Sequence, residues 1–268
     1  MWVSQYSVAG PVARAVESCS PGASALAGRA VRHRGAAEVL AGMLDLQTSV
    51  RLAHALDAPE PRRADAEWRA PLLLGDYVQK RLAAIDDATS RRLARPFEGP
   101  RIRVPDPAQL AAQIVSDGAT ESSHSARAFA IATWRTYREY FLSSLSRVRG
   151  DVAALREEVA PDLREASPRG AKLEALDAVV RGAMSDAVPA LCQRLAAATE
   201  APFVSALTAA TVGLSATVDG AALGGWFAAR GVLGAQLART SEITRALFAR
   251  EARSLETLVD AACKPEAA

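Results

Sequence analysis

Apolar residues recur along this chain mostly at steps of three and four, the spacing that brings side chains to one face of a helix. The strongest run is Trp134, Tyr137, Phe141, Leu145, Val148, Val152, Leu155 and Val159, stepping by three, four, four, three, four, three and four. Such a run predicts a coiled-coil-like stripe along one rod. Arg147, Arg149, Asp151, Arg156, Glu157 and Glu158 flank it. The first half of the stripe is aromatic and the second aliphatic. Pro161 is expected to end or kink the helix.

Weaker stripes lie on either side. Residues 1–22 hold Gly10-Pro11 and Ser20-Pro21-Gly22, so a loose arm is expected. Val39, Met43, Leu46, Val50 and Ala53 mark an amphipathic helix that ends before Ala58-Pro59. Pro71 suits the first turn of another helix, with Leu74, Val78, Leu82 and Ile85 inward and Arg91, Arg92 and Arg95 near its end. Pro96, Gly99-Pro100, Pro105 and Pro107 read as a linker, dividing a 23–95 subdomain from a 108–268 bundle. A short helix over 108–115 precedes the polar stretch Ser116–Ser125. Ser167-Pro168 reads as an N-cap and first helical residue. Leu173, Leu176, Val180, Met184, Ala187 and Leu191 then form one stripe, kinked near Val188 by Pro189. Ala201–Val218 carries no charge and is expected as a small-residue linker or buried short helix, with a membrane span as the alternative. Gly220, Gly224 and Gly225 read as a hinge. A last helix over 226–262 turns Leu233, Leu237, Thr240, Thr244, Leu247, Leu255 and Leu258 inward.

The expected fold is therefore all-α: an elongated helical bundle with long coiled-coil-like helices. Composition sharpens that picture. The chain has 268 residues, enough for one large domain or two small ones. Of these, 59 are Ala, the best helix former and a poor source of burial energy, so thin small-residue seams are expected between helices. The net charge of +2 argues against a general nucleic-acid binder. Lys occurs only at Lys80, Lys172 and Lys264, so the positive charge is almost all Arg. Cys19, Cys192 and Cys263 are odd in number and far apart, which predicts neither a disulfide framework nor a metal site and fits a reducing compartment. The first residues lack a basic stretch followed by an apolar core, so no signal peptide is expected and a cytoplasmic location is.

Candidate chemistry is sparse. His33, His54 and His124 have no metal-ligand spacing. Gly220–Gly225 has glycines but neither the strand nor the Lys of a phosphate loop. Ser122-Ser123-His124-Ser125 gathers hydroxyls and an imidazole, but neighbours in a loop do not adopt nucleophile–base geometry. Asp86-Asp87 and Glu157-Glu158 read as solvated helix charges. No catalytic, cofactor or metal residues are assigned, and no enzyme activity is expected. Trp134, Tyr137, Tyr140 and Phe141, interleaved with Arg135 and Arg138, read either as a core seam with extended arginine stems or as a stacking platform for a partner. Tyr140 falls beside the main stripe and is expected to be its exposed member. The candidate partner-binding face is Trp134, Tyr137, Arg138, Tyr140, Phe141, Leu145, Val148, Val152, Leu155 and Val159.

One resemblance extends this reading. Tyr137-Arg138-Glu139-Tyr140, Leu155–Val159, Ser167-Pro168, Leu173–Val179, Val188–Leu191, Gly225-Trp226 and Leu258–Ala261 resemble an uncharacterised bacterial family, domain of unknown function three-three-four-eight. The resemblance covers about the second half of the chain, and Gln236 stands where that family usually has Glu. It implies no enzyme activity. It implies an accessory role near an inner-membrane complex similar to a flagellar-type ion motor. From residues and resemblance together, the expected function is a non-catalytic adaptor or scaffold that docks a protein partner or self-associates. The alternatives are a helical protein coating a membrane or granule and, behind it, an enzyme of unrecognised class.

Overall fold

The computed structural model describes residues 71–98, 102–214 and 218–263. The expected arm at 1–22, the 39–53 helix, His33, His54 and Cys19 lie outside the described residues. Among the described residues the fold is all-α, with long helices and no strand. The helices are α1 (Pro71–Ala94), α2 (Pro107–Ser116), α3 (Ser123–Ala166), α4 (Pro168–Met184), α5 (Ala187–Val212), α6 (Gly224–Phe227) and α7 (Val232–Cys263).

Local chemistry fixes several ends. The Asp106 side chain accepts from the Gln109 N–H and the Gln109 side chain reaches back to the Asp106 N–H, a closed capping box with Pro107 at the first helical position. Just beyond α2, Gly118 takes φ +57, a left-handed turn that favours glycine. Ser122 caps α3 by accepting from the Ser125 N–H at 3.0 Å. Ser167 is extended and accepts from the Gly170 N–H at 2.8 Å, with Pro168 opening α4 as its sequence predicts.

Pro161 does not end its helix, and the helix expected around Pro189 is broken before it. α3 runs past Pro161 to Ala166. Pro161 is exposed and lacks one intrahelical bond, but Val159 and Leu163 on either side pack into a core, and that burial outweighs the missing bond. The single kinked helix expected over 173–191 is instead two helices, broken at Ser185-Asp186. Pro189 then falls in the first turn of α5, where its missing N–H costs nothing. With the break, Cys192 turns inward and Leu191 is left 38% exposed.

The uncharged stretch expected as a linker or short helix is largely the second half of α5. That helix buries Val188, Cys192, Ala196, Thr199, Phe203, Leu207 and Thr211, spaced by threes and fours. The last helix begins at Val232, later than expected, after the short α6. A Cβ on Gly234 would lie 1.9 Å from the Ala228 carbonyl oxygen, so this corner closes only around glycine.

The chain forms two compact units from interleaved segments. Of the described residues, one comprises 71–88, 148–190 and 246–263; the other comprises 89–98, 102–147, 191–214 and 218–245. The division therefore falls within α1, α3, α5 and α7, not at the Pro-rich stretch 96–107. Helix length explains this. The 44 residues of α3 span about 66 Å at 1.5 Å per residue, more than one small core can cover. The 96–107 stretch folds onto the second unit, where the buried Val104 donates its N–H to the Pro96 carbonyl.

The first unit has an aliphatic core: Val78 and Leu82 from α1, Val152, Leu155, Val159 and Leu163 from α3, and Ala252, Leu255 and Val259 from α7. The second has an aromatic one. Phe129, Trp134, Tyr137 and Tyr140 of α3 pack with Leu110 and Ile114 of α2, Phe203 and Leu207 of α5, and Leu233 of α7.

Candidate functional site

The stripe on α3 does lie along one face of one helix. Trp134, Tyr137, Phe141, Leu145, Val148, Val152, Leu155 and Val159 are each at most 3% exposed. The chain's own helices cover them, so in this fold the stripe is an internal seam and not an open docking face. In the second unit Trp134 and Tyr137 flank Phe203 of α5, with ring centroids 5.1 and 5.5 Å from it and tilts of 47° and 41°. Tyr140 is not the exposed member that its register suggests; it is 5% exposed. The reason is tertiary: Tyr140 belongs to the aromatic core that residues of α2, α5 and α7 complete. Burial raises the Tyr140 pKa, opposed by the Arg92 guanidinium and the Ser144 hydroxyl. Burial alone pushes the Tyr137 phenol far up, so it stays protonated at any physiological pH. Arg138 is half-buried and donates to the Gln193 side-chain oxygen of α5 at 2.6 Å.

The densest polar constellation lies in the first unit, around Arg156. Its sequence position reads as a flanking surface charge, yet the residue is 4% exposed. Its Nη1 donates to both carboxylate oxygens of Asp177 on α4, at 2.9 and 3.0 Å, and its Nη2 donates to the Glu251 carbonyl of α7 at 3.3 Å. Asp177 also accepts from Arg181 Nε at 2.9 Å, and Arg181 reaches Glu157 at 3.2 Å. Two arginines and two carboxylates thus alternate and neutralise one another across α3 and α4. Burial works against the Arg181 charge, but Glu157 and Asp177 outweigh it and raise its pKa. The i, i+4 spacing of Asp177 and Arg181 is legible in the sequence; their meeting with Arg156 is not.

Two further contacts tie helices within this unit. Glu158 accepts from the Tyr77 hydroxyl and from Arg81 at 3.0 Å, joining α3 to α1. The Tyr77 hydrogen bond does most to lower the Glu158 pKa; desolvation opposes it and the Arg81 contacts add to the lowering, while Glu158 in turn raises the pKa of Tyr77. Ser167 donates to the Ala262 carbonyl at 3.1 Å, joining the start of α4 to the last turn of α7.

The remaining candidate residues stay apart. His124 is exposed near the start of α3, and Ser122 is engaged as a cap rather than as a nucleophile. Asp86 and Asp87 are exposed on α1. Burial, then Asp260, raises the Cys263 thiol pKa, away from the thiolate that reactivity requires. Among the described residues no three His, Cys, Asp or Glu side chains gather as a metal site would need. α5 is the one described helix long and apolar enough to cross a membrane by length and composition, a property shared by core helices of soluble proteins. No protein-family model matches this chain, and no curated protein or solved structure matches it.

Proposed function

We propose that this chain is a non-catalytic helical adaptor or scaffold. The observation that carries the reading is α3 itself. Its inner face is apolar through both units, and four of its polar side chains are tied to other helices: Arg138 to α5, Arg156 to α4 and α7, Glu157 to α4 and Glu158 to α1. An active site instead aims polar groups at a place where a substrate can sit. Here the groups that the fold brings together are closed on one another. The resemblance of the second half adds a setting for the adaptor, the cytoplasmic face of an inner-membrane ion-motor-like complex.

The test is crosslinking mass spectrometry on the tagged full chain recovered from its own host, together with light scattering of the pure protein. Crosslinks from this chain to one membrane-complex subunit, or a defined oligomer of the chain, support the reading. A strict monomer that crosslinks to nothing and turns over a compound in a substrate screen refutes it.

One observation favours a second reading, a peripheral coat on a membrane or granule. The second half of α5 exposes Ala201, Pro202, Ser205, Ala206, Ala209 and Val212 with no charge among them, so little desolvation would oppose contact with an apolar surface. Co-flotation with lipid vesicles, lost in Ala206→Glu, supports it; a chain that never floats removes it.

A further inference from the structure

The two units treat their buried polar groups differently. In the first, Arg156, the one buried charged side chain among its described residues, has a carboxylate and a carbonyl to bind. In the second, several buried hydroxyls bond back to a carbonyl one turn earlier, as Ser144 does to Tyr140, Thr211 to Leu207 and Thr244 to Thr240. Other groups there do not. The Thr89 hydroxyl on α1 and the Trp134 indole N–H and Tyr137 hydroxyl on α3 are buried without a hydrogen-bond partner. Their residues are 0%, 1% and 1% exposed. A buried donor without an acceptor forfeits its hydration, and that loss is recovered whenever the structure opens to water. All three sit in the unit with the aromatic core.

We propose that the second unit is a built-in latch: residues 89–147 and 191–245 open together while the described parts of the first unit stay folded, and the opening uncovers Trp134, Tyr137, Tyr140 and Phe141. The closed state keeps this half of the seam from any partner. The open state returns water to these stranded groups while the first core stays buried, so its free energy lies below that of full unfolding. Any partner that offers acceptors to Thr89, Trp134 and Tyr137 binds the open state better and shifts the balance towards it. The use of the uncovered face for docking rests on the adaptor reading; the opening itself does not.

Amide hydrogen exchange on the full chain tests the latch. Residues 129–145, 203–211 and 233–244 are expected to exchange as one group, at least tenfold faster than residues 152–163 and 252–262. Tyr137→Phe removes one stranded hydroxyl at nearly constant volume. It is expected to slow exchange in the first group roughly five- to thirty-fold and to leave the second group unchanged. Thr89→Val is expected to act in the same direction from α1. Equal exchange in the two groups, or faster exchange in 129–145 for Tyr137→Phe, overturns the proposal. If exchange follows the expectation and crosslinking finds no partner, the latch stands and its docking use falls.

Discussion

Replacing Asp177 by Asn removes one charge from the network around Arg156 and almost no volume. The guanidinium is left 4% exposed with one carbonyl acceptor, Glu251, at 3.3 Å and an amide where a carboxylate bound two ways. Breaking a buried pair by removing one partner costs about 3–5 kcal/mol, because the other charge stays buried and uncompensated. Two features reduce that here. The Asp177 side chain is 18% exposed, so solvent screens the pair in part, and the Glu251 carbonyl remains. Asp177→Asn is therefore expected to cost about 2–3 kcal/mol. The double variant Arg156→Leu/Asp177→Leu leaves no buried charge and is expected to fall within about 1 kcal/mol of the parent. The assay is urea unfolding followed by helix circular dichroism, reading the midpoint at unchanged slope. A loss below about 1 kcal/mol for Asp177→Asn, or a double variant as damaged as the single one, would refute the view that an uncompensated buried charge sets the cost.

Three further outcomes follow from the first unit. Gly170→Ala places a Cβ 2.3 Å from the Leu163 carbonyl oxygen, so the turn between α3 and α4 must shift; a loss of about 1–3 kcal/mol is expected, and an unchanged melting temperature contradicts it. Leu155→Ala opens a void in the aliphatic core and is expected to cost about 2–5 kcal/mol by the same unfolding assay, whereas a neutral result would mean that α3 is not packed as described. The Glu158 pKa is lowered in the fold, chiefly by Tyr77, so its favourable contribution is present above about 4.5 and fades as pH falls through the lowered value. Tyr77 is raised, so its share is present below about 10 and is lost as pH rises through the raised value. Tyr77→Phe should move the Glu158 carboxyl upward in an NMR titration. No movement would show that the hydroxyl is not bound there.

The sequence by itself determined the helices, because three-and-four periodicity, a cap such as Ser167 and a first-turn proline such as Pro168 act within a few residues of one another. It also placed the α3 stripe on a single face, from Trp134 to Val159. It left open whether Pro161 ends or kinks its helix, and it set Pro189 within a helix that is in fact broken before it, because a proline's effect depends on whether its neighbours are held by a core or sit at a helix start, and neither is a local property. Only the tertiary structure decided what covers the stripe. The same spacing serves a partner helix or the chain's own, and here α1, α2, α5 and α7 contribute to its cover. Only the tertiary structure buried Arg156 against Asp177, 21 residues away, and Tyr140 near Arg92. Charge and register mark a residue as suited to a surface or an edge, but burial is set by which distant segments arrive beside it, and that information is spread over the whole chain.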